Sequence, residues 1–236
     1  MKKLSFTLLI LFAFFANITA QEQILTETQN DLYWHPDRKI EFSDYQDPLN
    51  ESCIKFNEQF GTQTSSSIGF RWIVDIPRRW RGRNAGKIDK GYIVPVFCKN
   101  CSCILSKDSL GLKVDQLLFD MTEVFARNVR RDLANMQKEM NVRNLNSMWF
   151  TTFRNHWDRE KRAFFGQILR DIYIDNKENA YENWRETINE TLELSKEFAT
   201  TAEDRLRFVL GKPIVEGYIE AKTIMGDMRP NRETNE

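Results

Sequence analysis

Glycine and proline are scarce, 10 and 6 in 236 residues, roughly half of average usage. That excludes long disordered or collagen-like tracts and implies a packed, helix-rich chain. Net charge is missing as well: 34 Lys and Arg balance 34 Asp and Glu, which argues against a nucleic-acid binder whose affinity comes from phosphate neutralisation. Histidine is reduced to His35 and His156, so no three-histidine metal site can be assembled from this chain. There is no GxSxG elbow, no glycine-rich phosphate loop, and no cysteine with a histidine partner in its sequence context. After Ala20 no apolar run approaches the roughly 20 residues of a membrane helix.

What is present begins with a leader pattern. Lys2 and Lys3 form a basic start, Leu4 to Ala16 supply a short apolar stretch, and Ile18-Thr19-Ala20 ends in a small residue. Residues 1–20 are therefore expected to be a signal peptide cleaved near Ala20. The product would be exported, periplasmic or secreted, and without a transmembrane segment in the mature chain. Export makes disulfides permissible for Cys53, Cys98, Cys101 and Cys103. The simplest expectation is one or two disulfides, with Cys53 tied to a member of the cluster and the pairing left open. Cys-x-x-Cys-x-Cys with a distant upstream Cys53 is not a usual zinc spacing.

Two runs read as neighbouring antiparallel strands: Ser65 to Val74, and Gly91 to Phe97, both rich in β-branched and aromatic residues. Pro95 cannot donate to a ladder, which predicts an edge strand or a bulge there. From Asp108 the apolar period becomes helical. Val114, Leu118, Met121, Phe125, Val129, Met136 and Met140 form one stripe, with Asp108 or Ser109 as N-cap. Further helices are expected from about Ser147 to Ile174, from about Asn179 to Phe198, and from Thr201 to the stop signal Gly211-Lys212-Pro213. The fold class is thus α+β, a small antiparallel sheet followed by three or four packed helices, in one domain over 21–225 with a flexible tail at 226–236.

Four segments in order resemble a family of exported bacterial proteins described as zinc-dependent peptidases of the zincin type. They are Trp34 with Arg38-Lys39-Ile40-Glu41-Phe42-Ser43-Asp44-Tyr45, similar to "RKLTWxDF"; Thr64-Ser65-Ser66-Ser67-Ile68-Gly69, in the place of "AATYSGI"; Val114-Asp115-Gln116-Leu117-Leu118-Phe119-Asp120-Met121-Thr122-Glu123-Val124-Phe125-Ala126-Arg127, similar to "HEQxHFDIxExxAR"; and Asn183-Trp184-Arg185-Glu186-Thr187-Ile188, like a late "xWxxxI" helix. The resemblance implies a zincin-like fold, and also that its chemistry has been lost. An HExxH helix binds zinc because residues four apart share a face and the intervening Glu activates the bound water. Here the ligand positions hold Val114 and Leu118, which have no lone pair to donate, and the Glu position holds the shorter Asp115. The later His of the family would fall in Asp175 to Ala180, which has none.

Val114 and Leu118 continue the apolar stripe, so the metal-binding floor is expected to have become ordinary core. The expectation is a non-catalytic relative, a pseudoenzyme without catalytic residue, metal or cofactor, serving as a binding or interaction module in the cell envelope. The alternative is an active hydrolase with a rearranged site around Asp115, Glu123 and the cysteine cluster. The carboxylates Asp120 and Glu123, with Arg127, are instead read as surface or helix-to-sheet ion pairs. The first candidate partner contact is Arg78-Arg79-Trp80-Arg81-Gly82-Arg83. Its guanidinium groups and ring suit an anionic or protein partner, although a solvated hairpin loop with Trp80 folded onto the sheet is the commoner form. The aromatic helix around Trp149, Phe153, Trp157 and Phe164 is read as core packing rather than an interfacial membrane helix, His156 as a packed or edge residue, and His35 as no ligand set.

Overall fold

A computed structural model describes residues 26–48, 51–78, 87–142, 145 and 147–222. The expected signal peptide at 1–20 and the expected flexible tail at 226–236 lie outside the described residues. The fold is α+β. Strands β1 (Asp31–Tyr33), β3 (Ile68–Pro77), β4 (Lys90–Cys98) and β6 (Tyr218–Glu220) form an antiparallel sheet in the order β1-β4-β3-β6, and β2 (Thr64–Ser65) pairs with β5 (Cys103–Ile104) in a second, two-stranded sheet. The long β3–β4 ladder runs from Ile68 opposite Phe97 to Asp75 opposite Lys90. It joins the two runs that the sequence marks as strands.

Pro95 departs from expectation, because β4 is a central strand and not an edge. Its place has a local reason. Strand β1 pairs only with Val96 to Cys98, and the Pro95 carbonyl accepts from Trp34 N, just past the end of β1. The nitrogen of an extended residue faces the same side as its carbonyl, so the missing donor of Pro95 points where the neighbouring strand has already ended.

Five α-helices occur among the described residues: α1 (Glu51–Phe60), α2 (Ser109–Glu139), α3 (Ser147–Leu169), α4 (Ala180–Leu194) and α5 (Ala202–Leu210). Four of them, α2 to α5, follow the β3–β4 pair as the sequence pattern predicts, and α1 is an additional helix that precedes the main strands. Strand β6 likewise returns to the sheet after the last helix. Helix α2 is capped by Asp108, whose carboxylate accepts from Leu110 N and Gly111 N, satisfying donors that the first turn leaves open. Helix α3 runs on into a single π-helical stretch, Arg170–Ile174. Helix α5 starts in a Thr201/Asp204 capping box and ends at Gly211, φ 63°, a left-handed position that suits glycine.

Both faces of β4 are covered, which is why Tyr92 to Cys98 is buried without alternation. On one face Trp72, Val74 and Ile93 pack with Val129 and Leu133 of α2 and Phe150 of α3. On the other, Val94, Val96 and Tyr33 meet Phe208 and Val209 of α5. Helix α2 is thus enclosed between the sheet and helices α3 and α4, and everything that could serve as a site along it depends on what those neighbours leave open.

Candidate functional site

Helix α2 has two buried faces of opposite character. Val114, Leu118, Met121 and Phe125 lie within 5% exposure, in one cluster with Ile168 and Leu169 from the end of α3 and Ile188 of α4. Phe56 and Phe60 of α1, with Ile68 and Phe70 of β3, close this cluster further. Val114 and Leu118, which the resemblance would align with zinc-binding imidazoles, are therefore packed among hydrocarbon side chains. Burying Val or Leu there contributes roughly 1.5–3 kcal/mol each.

The opposite face is a polar ladder. Asp120 accepts from Trp34 Nε1 at 2.8 Å, from Gln116 Nε2 at 2.9 Å and from Arg185 Nη1 of α4 at 2.7 Å. One turn on, Glu123 accepts from Arg127 Nε at 2.8 Å and from the Thr200 amide and hydroxyl at 2.8 and 2.6 Å. Arg127 also donates to Leu192 O and lies over the Trp34 ring. Arg130 reaches Phe198 O, Ile93 O and Thr200 Oγ1. The expectation of surface or helix-to-sheet pairs for Asp120, Glu123 and Arg127 is corrected: all three are buried, and they tie α2 to the N-terminal segment, to α4 and to the link before α5. The sequence signal was local spacing, whereas the partners come from elsewhere in the chain.

Asp115 stands apart from that ladder. Its carboxylate accepts from Tyr45 OH and from Ser66 Oγ, each at 2.6 Å. Burial pushes its pKa above the usual aspartate range, and hydroxyl donors, Ser66 first and then Tyr45 and Thr64, oppose that shift. Burial first, and then the Asp115 charge, pushes the Tyr45 phenol up. Tyr173 has a buried hydroxyl with no hydrogen-bond partner among the described residues, and burial raises its pKa too, ahead of the charges of Asp115 and Asp108.

The rearranged site that the sequence allowed would need Asp115, Glu123 and sulfur together. Asp115 and Glu123 are about 12 Å apart along the helix axis and have separate partners. The sulfurs are paired as Cys53–Cys103 and Cys98–Cys101, in line with the expected link from Cys53 to the cluster. Cys103 lies opposite Ser65 in the β2–β5 register. The donors do not fit zinc: Val114 and Leu118 have nothing to offer, and both oxygens of Asp115 already accept from hydroxyls. Among the described residues no group of three or more His, Cys, Asp or Glu could hold a metal ion. His35 Nδ1 accepts from Asp37 N, and His156 sits at the edge of the Trp157 ring.

An open feature lies at the far end of α2. Met136, Met140, Val142, Leu145, Ser147, Trp149 and Asp89 line a cavity of about 370 Å³ between the end of α2, the start of α3 and the foot of β4. Met140 is 54% exposed, so the stripe that is core at Val114 has become surface by its last member. Ile88, Val142 and Met148 are exposed as well. The same end carries the root of the Arg-Trp loop. Arg78 N donates to Gly217 O, Lys87 Nζ to Glu216 O, and Tyr218 OH to Ile88 O. Of the predicted contact residues Arg78 is described; Arg79, Trp80, Arg81 and Arg83 lie outside the described residues. Helix α3 does pack as core, through Phe150 and through Trp157 beside Phe125. No described helix is long and apolar enough to cross a membrane. No family model, curated protein or solved structure matches this chain.

Proposed function

We propose that this chain is an exported, non-catalytic relative of the zincin-type peptidases that works as an interaction module in the cell envelope. One observation carries the reading: Val114 and Leu118 lie in a closed apolar cluster, where no substrate, water or metal could reach the helix face that the resemblance would make catalytic. The disulfides fit an oxidising compartment. The candidate contact is the cavity of Met136, Met140, Leu145 and Trp149 together with the segment Arg78 to Arg83, of which Arg78 is described. Flexible Met side chains and a Trp give an adaptable apolar surface, and the guanidinium groups in the sequence of that loop suit an anionic or acidic protein partner.

The purified full chain is expected to hold no stoichiometric zinc and to leave unfolded casein intact with or without chelator. Chelator-sensitive cleavage overturns the reading. The contact is tested with Met140→Asp combined with Arg81→Ala, which should weaken capture of an envelope partner roughly tenfold while the far-UV circular dichroism stays unchanged. Undiminished capture moves the contact elsewhere on the molecule.

A further inference from the structure

We propose that Cys98 and Cys101 form a redox-active disulfide that exchanges with an exported dithiol, while Cys53–Cys103 is the bond that holds the fold. The inference does not depend on the pseudoenzyme reading. Cys98-Lys99-Asn100-Cys101 joins the end of β4 to the single helical turn Lys99–Cys101, so the four residues form a Cys-x-x-Cys unit, the spacing in which thiol pKa values are commonly lowered. The two sulfurs differ in access: Cys101 is exposed and Cys98 is 8% exposed. By contrast Cys53 and Cys103 are each 2% exposed. An incoming thiolate can therefore reach Cys101 Sγ and no other sulfur as easily, and exposed bonds are the exchangeable ones.

The backbone around the pair is held without the S–S bond. Cys98 N donates to Ser67 O, Lys99 N to Asn30 O, and Gln46 N to Lys99 O. Ser102 Oγ donates to Cys98 O at 2.7 Å. The Lys99 ammonium is fixed between Glu27 at 2.5 Å and Asp44 at 3.8 Å. Opening the disulfide would leave all of these in place, so the conformation of the turn does not hang on the bond, whose contribution is to restrict the unfolded chain. Asn100 Oδ1 lies 3.1 Å from Cys98 Sγ and 3.6 Å from Cys101 Sγ. The disulfide has no hydrogen to give it, but once reduced a Cys98 thiol has an acceptor already positioned, which favours the reduced form.

The exchange balances with a dithiol as co-reactant. One thiolate of the partner attacks Cys101 Sγ; a mixed disulfide forms as the Cys98–Cys101 bond breaks, and the electron pair leaves on Cys98 Sγ, which takes a proton. The partner's second thiolate then attacks its own sulfur in the mixed disulfide and releases Cys101 as thiolate, which is protonated in turn. Two electrons and two protons pass from the dithiol to this chain, and the partner leaves as a disulfide.

The test treats the folded full chain with dithiothreitol, quenches with an alkylating agent and maps the label by mass spectrometry. Cys98 and Cys101 should be labelled at least roughly tenfold faster than Cys53 and Cys103, with the far-UV circular dichroism unchanged. In Cys98→Ser, the remaining Cys101 should form a mixed disulfide with glutathione disulfide at least about tenfold faster than Cys98 does in Cys101→Ser. Labelling of all four cysteines together, only as the circular dichroism is lost, overturns the proposal. So does a Cys98 that reacts as fast as Cys101.

Discussion

Asp115 shows how far a single side chain can be moved by its surroundings. A carboxyl with 4% exposure has lost most of its water, and the hydroxyls of Tyr45 and Ser66 replace only part of it. Its pKa is raised, with burial the largest cause. The folded chain therefore holds this proton more tightly than the unfolded chain does. As pH climbs through the ordinary aspartate value of about 4, the unfolded state releases the proton first, and the folded state loses stability relative to it. Asp115→Asn removes that dependence while keeping an oxygen for Tyr45. Urea unfolding near pH 4 and near pH 7 should show the variant gaining on the parent at the higher pH. An unchanged difference between the two would mean that the carboxyl is better solvated than its burial implies. Nothing in the sequence announced this; Asp115 was legible only as a shortened Glu at a motif position, because Tyr45 and Ser66 are brought to it by the fold.

Among the elements, those with local signals were the legible ones. Asp108 at the start of α2, Thr201 before α5, and Gly211 after it act within a few residues of themselves, so they can be read without knowing the fold. Strand β6 was not legible, since its three residues owe their pairing to distant groups. Arg207 of α5, fully buried, donates to Asp75 Oδ2 at 2.7 Å and Oδ1 at 2.9 Å in β3, and to Glu220 Oε2 at 3.0 Å in β6. One guanidinium thus joins the last helix to two adjacent strands. Arg207→Met leaves Asp75, itself 1% exposed, as an uncompensated buried charge, and should cost about 3–5 kcal/mol. Adding Asp75→Asn should restore a good part of that loss, because the double variant no longer buries an unpaired carboxylate. Urea unfolding of the two single variants and the double variant checks this; strictly additive losses would show that the pair is not coupled.

At the scale of the whole molecule the covalent links divide their work by the length of chain they close. Four cysteines in a chain with a leader-like start were readable as disulfides, but the pairing was not, since it depends on α1 and β5 meeting across the second small sheet. Cys53–Cys103 joins residues 50 apart, whereas Cys98–Cys101 joins residues 3 apart. Loop-closure entropy of the unfolded chain grows with the logarithm of that length, giving about 4 kcal/mol for the long link and about 2 kcal/mol for the short one. Beyond that difference, α1 brings Phe56 and Phe60 onto the cluster that seals Val114 and Leu118, so losing Cys53–Cys103 also loosens the cover over that helix face. Cys53→Ala with Cys103→Ala should therefore lower the urea midpoint markedly and increase the exposure of the cluster to a hydrophobic dye. Cys98→Ala with Cys101→Ala should shift the midpoint by no more than about half as much and leave dye binding unchanged. If the short link proved the more costly to remove, the turn at Lys99 would depend on its disulfide after all, and the division between a holding bond and an exchanging bond would fail.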